Sequence, residues 1–233
     1  MAVTTERRGE VLVIHLDDGR ANAVTFDVLS DVTAAMRAAE SDPQVKAVVL
    51  AGREGCLSAG FDLGVMRGGD QQAILDLAAG GAMLVHTLYG SGVPIVVACT
   101  GHAVAMGALL LLAGDVRIGA DGDFKIGMNE LAIGMVLPDW ILTILSERLD
   151  RRRLPAAIAT AQLYDPVGAV ELGFLDEVVP ADQVLNRAVA VADRLAATIS
   201  VRAYARSMAT LRSTMLATLE SQASAFRAGA TLA

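Results

Sequence analysis

Short apolar runs and longer helical stripes alternate along the first half of the chain. VLVIHL (Val11–Leu16), KAVVLAG (Lys46–Gly52), PIVVACTG (Pro94–Gly101) and DVRIGA (Asp115–Ala120) are nearly continuous in apolar character, as strands buried on both faces are. DFKIG (Asp123–Gly127) predicts one more short strand. Between the first two runs Phe26, Leu29, Val32 and Met36 recur at helical spacing, and Thr25 is placed to cap that helix. QQAILDLAAGGAMLVHTLYGSG predicts a second helix, and HAVAMGALLLLAG a third, opened by a turn of small residues. EGCLSAGFDLG (Glu54–Gly64) reads as a glycine-bearing loop. Strands alternating with helices predict an α/β fold.

After Pro138 the pattern turns helical. PDWILTILSERLD, RRRLPAAIATAQ, DPVGAVELG, ADQVLNRAVAVADRLAATI and the stretch from Val201 onward all carry helical periodicity, interrupted only by FLDEVV. The shift near Pro138–Leu154 divides the chain into an α/β core over residues 1–150 and a helical region over 151–233. The last stretch, Arg202 to Gly229, reads as one helix with Tyr204, Met208, Leu211, Met215 and Leu219 on one stripe. Packing on its own core is the default for such a stripe, and docking on a neighbouring subunit is the alternative.

Composition narrows the function classes. With 233 residues, 54% hydrophobic and 19% charged, the chain can bury a substantial core and is too apolar for disorder. A net charge of −7 argues against nucleic-acid binding, so any polyanionic ligand has to be held by local donors. Cys56 and Cys99 are the only cysteines, and neither lies in a CxxC or zinc spacing, so no disulfide framework is expected and a reducing compartment suits them; no metal or redox cofactor is implied. MAVTTERRGE has no apolar core of a secretory signal. The most membrane-like run, Val93–Asp115, is broken by Pro94, Gly101 and His102. The expectation is a soluble, cytoplasmic protein.

Three places combine turns with possible chemistry. In SAGFD (Ser58–Asp62) a backbone N–H at Phe61 can face away from the strand ladder, although on spacing alone an ordinary loop with a positive φ at Gly60 is the default. GHAVAMGALLLLAGD is a strand-to-helix junction, where free N–H groups attract anions but small residues also serve tight packing. In KIGMNELAIGMVLPDW, Glu130 stands alone among Ile126, Met128, Leu131, Ile133, Met135, Val136 and Leu137, and a buried, unpaired acid is costly.

These segments, in this order, resemble the crotonase (enoyl-CoA hydratase/isomerase) superfamily. RANAVTFDVL near the start and DPVGAVELGFLDEVVP after the core extend the likeness from Val11 to about Arg206. The resemblance implies a ClpP/crotonase-like spiral of ββα units, a trimer or a pair of trimers, and an acyl-CoA substrate, with coenzyme A entering as part of that substrate. It also implies an oxyanion hole from the backbone N–H groups of Phe61 and Met106, where charge on a thioester enolate is stabilised. By the same resemblance the substrate-binding positions are Ala21, Ala23, Ser58, Ala59, Gly60, Asp62, Leu63, Gly107, Leu109, Pro138 and Trp140.

Hydratases of the superfamily hold a water between two glutamates. The first of those positions is occupied here by Leu109, and only the second matches, at Glu130. The glycine-rich run that follows in hydratases reads VLPDW here, and Pro138 has no N–H. Asn129–Glu130 and Pro138–Trp140 resemble instead the single-glutamate pattern of the mitochondrial 3,2-enoyl-CoA isomerases. The favoured activity is therefore isomerisation with Glu130 as proton shuttle. The alternatives are enoyl-CoA hydratase and a non-catalytic acyl-CoA binding protein. Plainer roles are expected elsewhere: Asp62 closing its loop, Asp139 capping a helix, and Arg151–Arg153 forming a solvated basic turn. Ser58 is not in a nucleophile-elbow pattern, which argues against a triad with His102.

Overall fold

Val11–Leu16 turns out to be the second strand. In the computed structural model, which describes residues 2–229, VTTERR (Val3–Arg8) forms β1 and pairs antiparallel with β2 (Val11–Leu16), Val3 opposite Leu16. Only Val3 of β1 is buried, so this edge strand has no hydrophobic alternation to betray it. The chain continues through α1 (Phe26–Ser41), β3 (Ala47–Gly52), β4 (Gly55–Ser58), α2 (Leu63–Met66), α3 (Gln71–Tyr89), β5 (Ile95–Cys99) and β6 (Gly101–Val104). Then come α4 (Met106–Leu112), β7 (Val116–Ala120), β8 (Ile126–Gly127), α5 (Asp139–Arg148), α6 (Leu154–Thr160) and α7 (Pro166–Leu172). β9 (Glu177–Val179), α8 (Val184–Thr198), α9 (Val201–Leu211) and α10 (Ser213–Arg227) complete it.

Two sheets divide the strands. The large one runs β1-β2-β3-β5-β7-β9 and is parallel except for β1. The small one runs β4-β6-β8, all parallel. Consecutive strands thus alternate between sheets: β3, β5 and β7 enter the large sheet, and β4, β6 and β8 the small one, each pair followed by helix. This is the expected spiral of ββα units. Gly55–Ser58, in the segment expected as loop, and Gly101–Val104, expected as the turn into a helix, are instead strands, each only four residues long.

The large sheet is covered on both faces, which explains the unbroken apolar strands. One set of side chains, including Val49, Val96 and Ile118, packs under Val184, Ala188, Val191 and Ala192 of α8. The other set, including Leu50, Ile95 and Val97, joins the main core with α1, α3 and α4. Burying each such Val, Leu or Ile contributes about 1.5–3 kcal/mol. At the first of these helices Thr25 is the N-cap, its hydroxyl accepting from Val28 N at 3.2 Å.

The final stretch is two helices rather than one, with the break at Arg212. Met215 and Leu219 are buried, and α10 packs on α3 of the same chain, whereas Leu211 is exposed. The break fits a polar bolt beneath it. Arg212 donates to Tyr89 O at 2.6 Å and to Asp115 Oδ1 at 2.5 Å, and its guanidinium lies 4.4 Å from the centre of the Tyr89 ring. Tyr204 donates to the other Asp115 oxygen at 2.8 Å. Among the described residues no helix is long and apolar enough to cross a membrane.

Candidate active site

β4, β6 and β8 are adjacent, parallel and end on the same side, and each delivers one candidate group just past its last residue. Phe61 follows Ser58 at the end of β4, Met106 follows Val104 at the end of β6, and Glu130 follows Gly127 at the end of β8. The carboxyl ends of parallel strands are where α/β sheets gather their ligands. Ala105 N donating to Gly127 O at 3.0 Å ties the second and third of these ends together.

The N–H of Phe61 is free for a geometric reason. Val24 forms a parallel bridge with Phe61. Its N–H donates to Gly60 O at 2.8 Å, and its carbonyl accepts from Asp62 N at 3.2 Å. In such a bridge the N–H of the central residue points to the opposite side, and that of Phe61 has no acceptor among the described residues.

Met106 is the first residue of α4, so its N–H has no intrahelical partner, and none is found elsewhere among the described residues. The residue before it, Ala105, has φ 54° and ψ −120°, a conformation costly for a residue with a Cβ, by about 1–3 kcal/mol. That strain makes the sharp turn from β6 into α4 and aims the Met106 amide. Gly60, at φ 110°, brings the two donors together: a Cβ on it would lie 3.8 Å from Met106 N and 3.1 Å from the Ala105 methyl carbon. Gly81 of α3 leaves room for both side chains, since a Cβ there would collide with the Phe61 ring and sit 3.2 Å from Met106 Sδ.

Glu130 opens a 3-10 turn and is 8% exposed, with its Oε2 fully enclosed and without a partner among the described residues. Burial pushes its pKa above the ordinary glutamate value, and the backbone amides of Glu130 and Asn129 act more weakly the other way. No neighbouring charge contributes. The burial does not come from all the residues flanking it in sequence: Ile126, Met128 and Leu137 are buried, whereas Leu131, Ile133, Met135 and Val136 are exposed.

The other candidates separate into cleft, scaffold and core. Ala21 and Ala59 line an open cleft of about 570 Å³ together with Arg20, Arg53, Lys125 and Asn129. Ala59 N donates to Ala21 O at 2.9 Å, and Ala23 N to Asp18 Oδ2 at 3.1 Å. Ser58 is buried with its hydroxyl accepting from Gly60 N at 3.2 Å, while His102 Nδ1 accepts from Lys125 N at 3.0 Å, so the two form no triad. Asp62 caps α2 through Gly64 N at 2.6 Å and Val65 N at 3.1 Å, and Leu63 is exposed. A Cβ on Gly107 would collide with the Ser58 carbonyl. Leu109 and Trp140 are fully buried, and the Trp140 indole N–H has no partner among the described residues.

Pro138, not Asp139, is the N-cap of α5, and Asp139 makes no capping bond. Arg151 faces a separate groove beside Asp139 and Glu147, and Arg153 pairs with Glu171 at 2.5 Å. The cations at the cleft are instead Arg20, Arg53 and Lys125, which are far apart in sequence and give no local charge run. Val24 and Gly81 were equally silent in sequence, because their roles lie in backbone pairing and in an absent side chain. Among the described residues no three His, Cys, Asp or Glu side chains form a metal cluster.

Comparison with known proteins follows the same lines. The mouse mitochondrial enoyl-CoA delta isomerase 1 is 32% identical over 188 residues, 80% of this chain and 65% of that protein. The chain therefore spans just under two thirds of the length of that curated relative. A putative enoyl-CoA hydratase of Thermus thermophilus is 31% identical over 195 residues, covering 81% of this chain and 76% of that one. The apo structure of a Mycobacterium tuberculosis enoyl-CoA isomerase superposes with a TM-score of 0.91 at 33% identity, over 97% of this chain and 98% of that one. The fold is thus the crotonase fold. The sequence model of the enoyl-CoA hydratase/isomerase family matches residues 6–230, and the chain belongs to that family.

Proposed function

We propose that the protein moves the double bond of 3-enoyl-CoA thioesters to the 2 position through a thioester enolate. The observation that carries this reading is Glu130: one buried carboxylate with an oxygen unpartnered among the described residues, on the side of the small sheet where two backbone N–H groups likewise lack acceptors. In the proposed reaction the Phe61 and Met106 N–H groups donate to the thioester oxygen. Glu130 takes a proton from C2, the electrons of that C–H bond spread onto the oxygen, and the same carboxyl returns the proton at C4 as the double bond settles between C2 and C3. Each well-placed donor contributes about 3–4 kcal/mol to stabilising the developing charge. A raised pKa suits a group that both takes and returns a proton near neutrality.

Hydration needs a second group to hold a water, and the position that supplies it in the two-glutamate pattern is Leu109, an apolar side chain with no exposure. The basic cleft beside Ala21 and Ala59 suits the phosphates of a coenzyme A thioester in a chain whose net charge is −7. The trimer or pair of trimers that the family resemblance implies belongs to the same reading, and light scattering on the purified chain tests it.

The deciding experiment offers the purified protein 3-enoyl-CoA and 2-enoyl-CoA, with Glu130→Gln alongside. Isomerisation that disappears in the variant, with little hydration, is the expected result. Efficient hydration by the unaltered protein would overturn the single-base mechanism. Thioester binding with turnover of neither substrate would make the protein a binder.

A further inference from the structure

We propose that Asn22 is the positioning residue of the oxyanion hole, setting the Phe61 donor through a bulge in β4; the proposal rests on the enolate reading above. Asn22 is 5% exposed and has φ 49°, uncommon for a residue with a side chain. Its side chain is fully engaged. Nδ2 donates to Leu16 O at 2.7 Å and to Cys56 O and Leu57 O at 3.1 Å each, while Oδ1 accepts from Asp18 N at 2.9 Å.

Two of those acceptors lie where the ladder fails. The register between β4 and β6 slips between Cys56 and Ser58, leaving Leu57 as the extra residue. A bulge re-aims the chain beyond it and leaves carbonyls without ladder partners, and buried carbonyls need partners. The amide of Asn22 supplies them. Two N–H groups serve three carbonyls, so one bond is shared.

The hold continues down the strand. Ala21 O accepts from Ala59 N at 2.9 Å, and Val24 bonds Gly60 O and Asp62 N on either side of Phe61. Residues 21–24 are therefore stitched to residues 56–62, with the Asn22 amide gripping the bulge and Val24 orienting the donor three residues beyond the strand. Asn22 lies beneath the cleft wall and does not belong to its lining. Its action is on where the Phe61 N–H points.

Two variants test this. Asn22→Gly suits the positive φ and removes only the side chain, and Asn22→Asp keeps the shape but sets a carboxylate against three carbonyls. The readouts are kcat and KM for 3-enoyl-CoA, and the infrared stretch of a 13C-labelled thioester carbonyl in bound 2-enoyl-CoA, which two N–H donors lower. For Asn22→Gly the expected result is a kcat reduced on the order of 10- to 100-fold with KM within about threefold, and a smaller carbonyl shift. A folded Asn22→Gly protein with wild-type kcat and carbonyl shift overturns the proposal. So does failure of both variants to fold, which assigns Asn22 to stability alone. A wild-type protein that lowers the carbonyl stretch without isomerising, and loses that shift in Asn22→Gly, refutes the isomerase reading and upholds Asn22. A wild-type protein that leaves the stretch unmoved removes the oxyanion hole, and this proposal with it.

Discussion

Val24 bridges Phe61 from one side only, and that one-sidedness leaves the Phe61 N–H free to meet a ligand. The donor is thus a product of strand pairing between two distant segments and owes nothing to the phenyl ring. Substitutions that move the backbone there will cost more than substitutions of the side chain.

Gly60 gives the sharpest test of this. Its φ of 110° is strained for alanine, and an added Cβ 3.1 Å from the Ala105 methyl carbon would push on the turn that aims the Met106 amide. Gly60→Ala should lower kcat on the order of 100-fold, with binding of coenzyme A changed only a few-fold. Steady-state kinetics and calorimetry on the folded variant check the split; a proportionate loss of coenzyme A binding would point to collapse of the whole cleft.

Much of this arrangement is legible in the sequence. The apolar runs located β2, β3, β5 and β7 because burial on both faces leaves little polar alternation to confuse, and Thr25 marked its helix correctly. β1 escaped because five of its six residues carry no buried apolar side chain, and β4 and β6 because four residues are too few to set a period. At the site, Glu130 stood out as a lone acid, but what encloses it did not: four apolar neighbours in sequence point to solvent. Asn22 carries no local signal, because its partners Leu16, Cys56 and Leu57 come together only in the fold. The basic cleft is not legible in sequence: the visible charge run, Arg151–Arg153, reads as a solvated turn, whereas Arg20, Arg53 and Lys125 meet only through folding.

Glu130 predicts a displaced acid limb. The base works as its carboxylate, and burial raises its pKa above 4.5, so kcat/KM should rise with pH through that raised value. The pH profile of isomerisation checks this; an acid limb at the ordinary glutamate position would mean that the carboxyl is solvated in the free enzyme.

The same shift has a consequence for stability, with the sign opposite to that of a salt-bridged acid. A carboxyl whose folded-state pKa is raised stabilises the fold below the unfolded pKa, and that contribution is lost as pH rises through the folded value. Glu130→Gln carries no ionisation penalty. Its Tm should exceed the wild-type Tm at neutral pH, and the two should converge below about pH 4. Thermal melts across pH test it, and a variant less stable than wild type at neutral pH would contradict the burial argument.

Salt should act at the cleft and not at the basic turn. Arg53 Nε donates to Arg20 O at 2.8 Å, which keeps its charge at the cleft mouth, while Arg151 faces another groove. Arg53→Gln should raise KM for a coenzyme A thioester about three- to tenfold at low ionic strength, worth roughly 1 kcal/mol, and should flatten its dependence on salt. Arg151→Gln should follow the wild-type salt curve. Equal effects of the two substitutions would mean that overall charge, not the cleft, draws the ligand.

The bolt under the C-terminal helices carries the largest stability prediction. Arg212 and Asp115 have side-chain exposures of 6% and 18%, and the guanidinium also holds the Tyr89 carbonyl. Arg212→Met keeps the bulk but leaves Asp115 facing Tyr204 without its hydrogen-bonded cation, with only the Arg148 charge nearby. Removing one partner of such a pair costs about 3–5 kcal/mol, which in a chain of this size lowers Tm on the order of 10 °C. The double variant Arg212→Met, Asp115→Asn removes the stranded charge and should recover part of that loss. Thermal melts of the four proteins close the cycle. A double variant no more stable than Arg212→Met alone would show that packing of the arginine against the Tyr89 ring, rather than its pairing with Asp115, fastens α9 and α10 to the core.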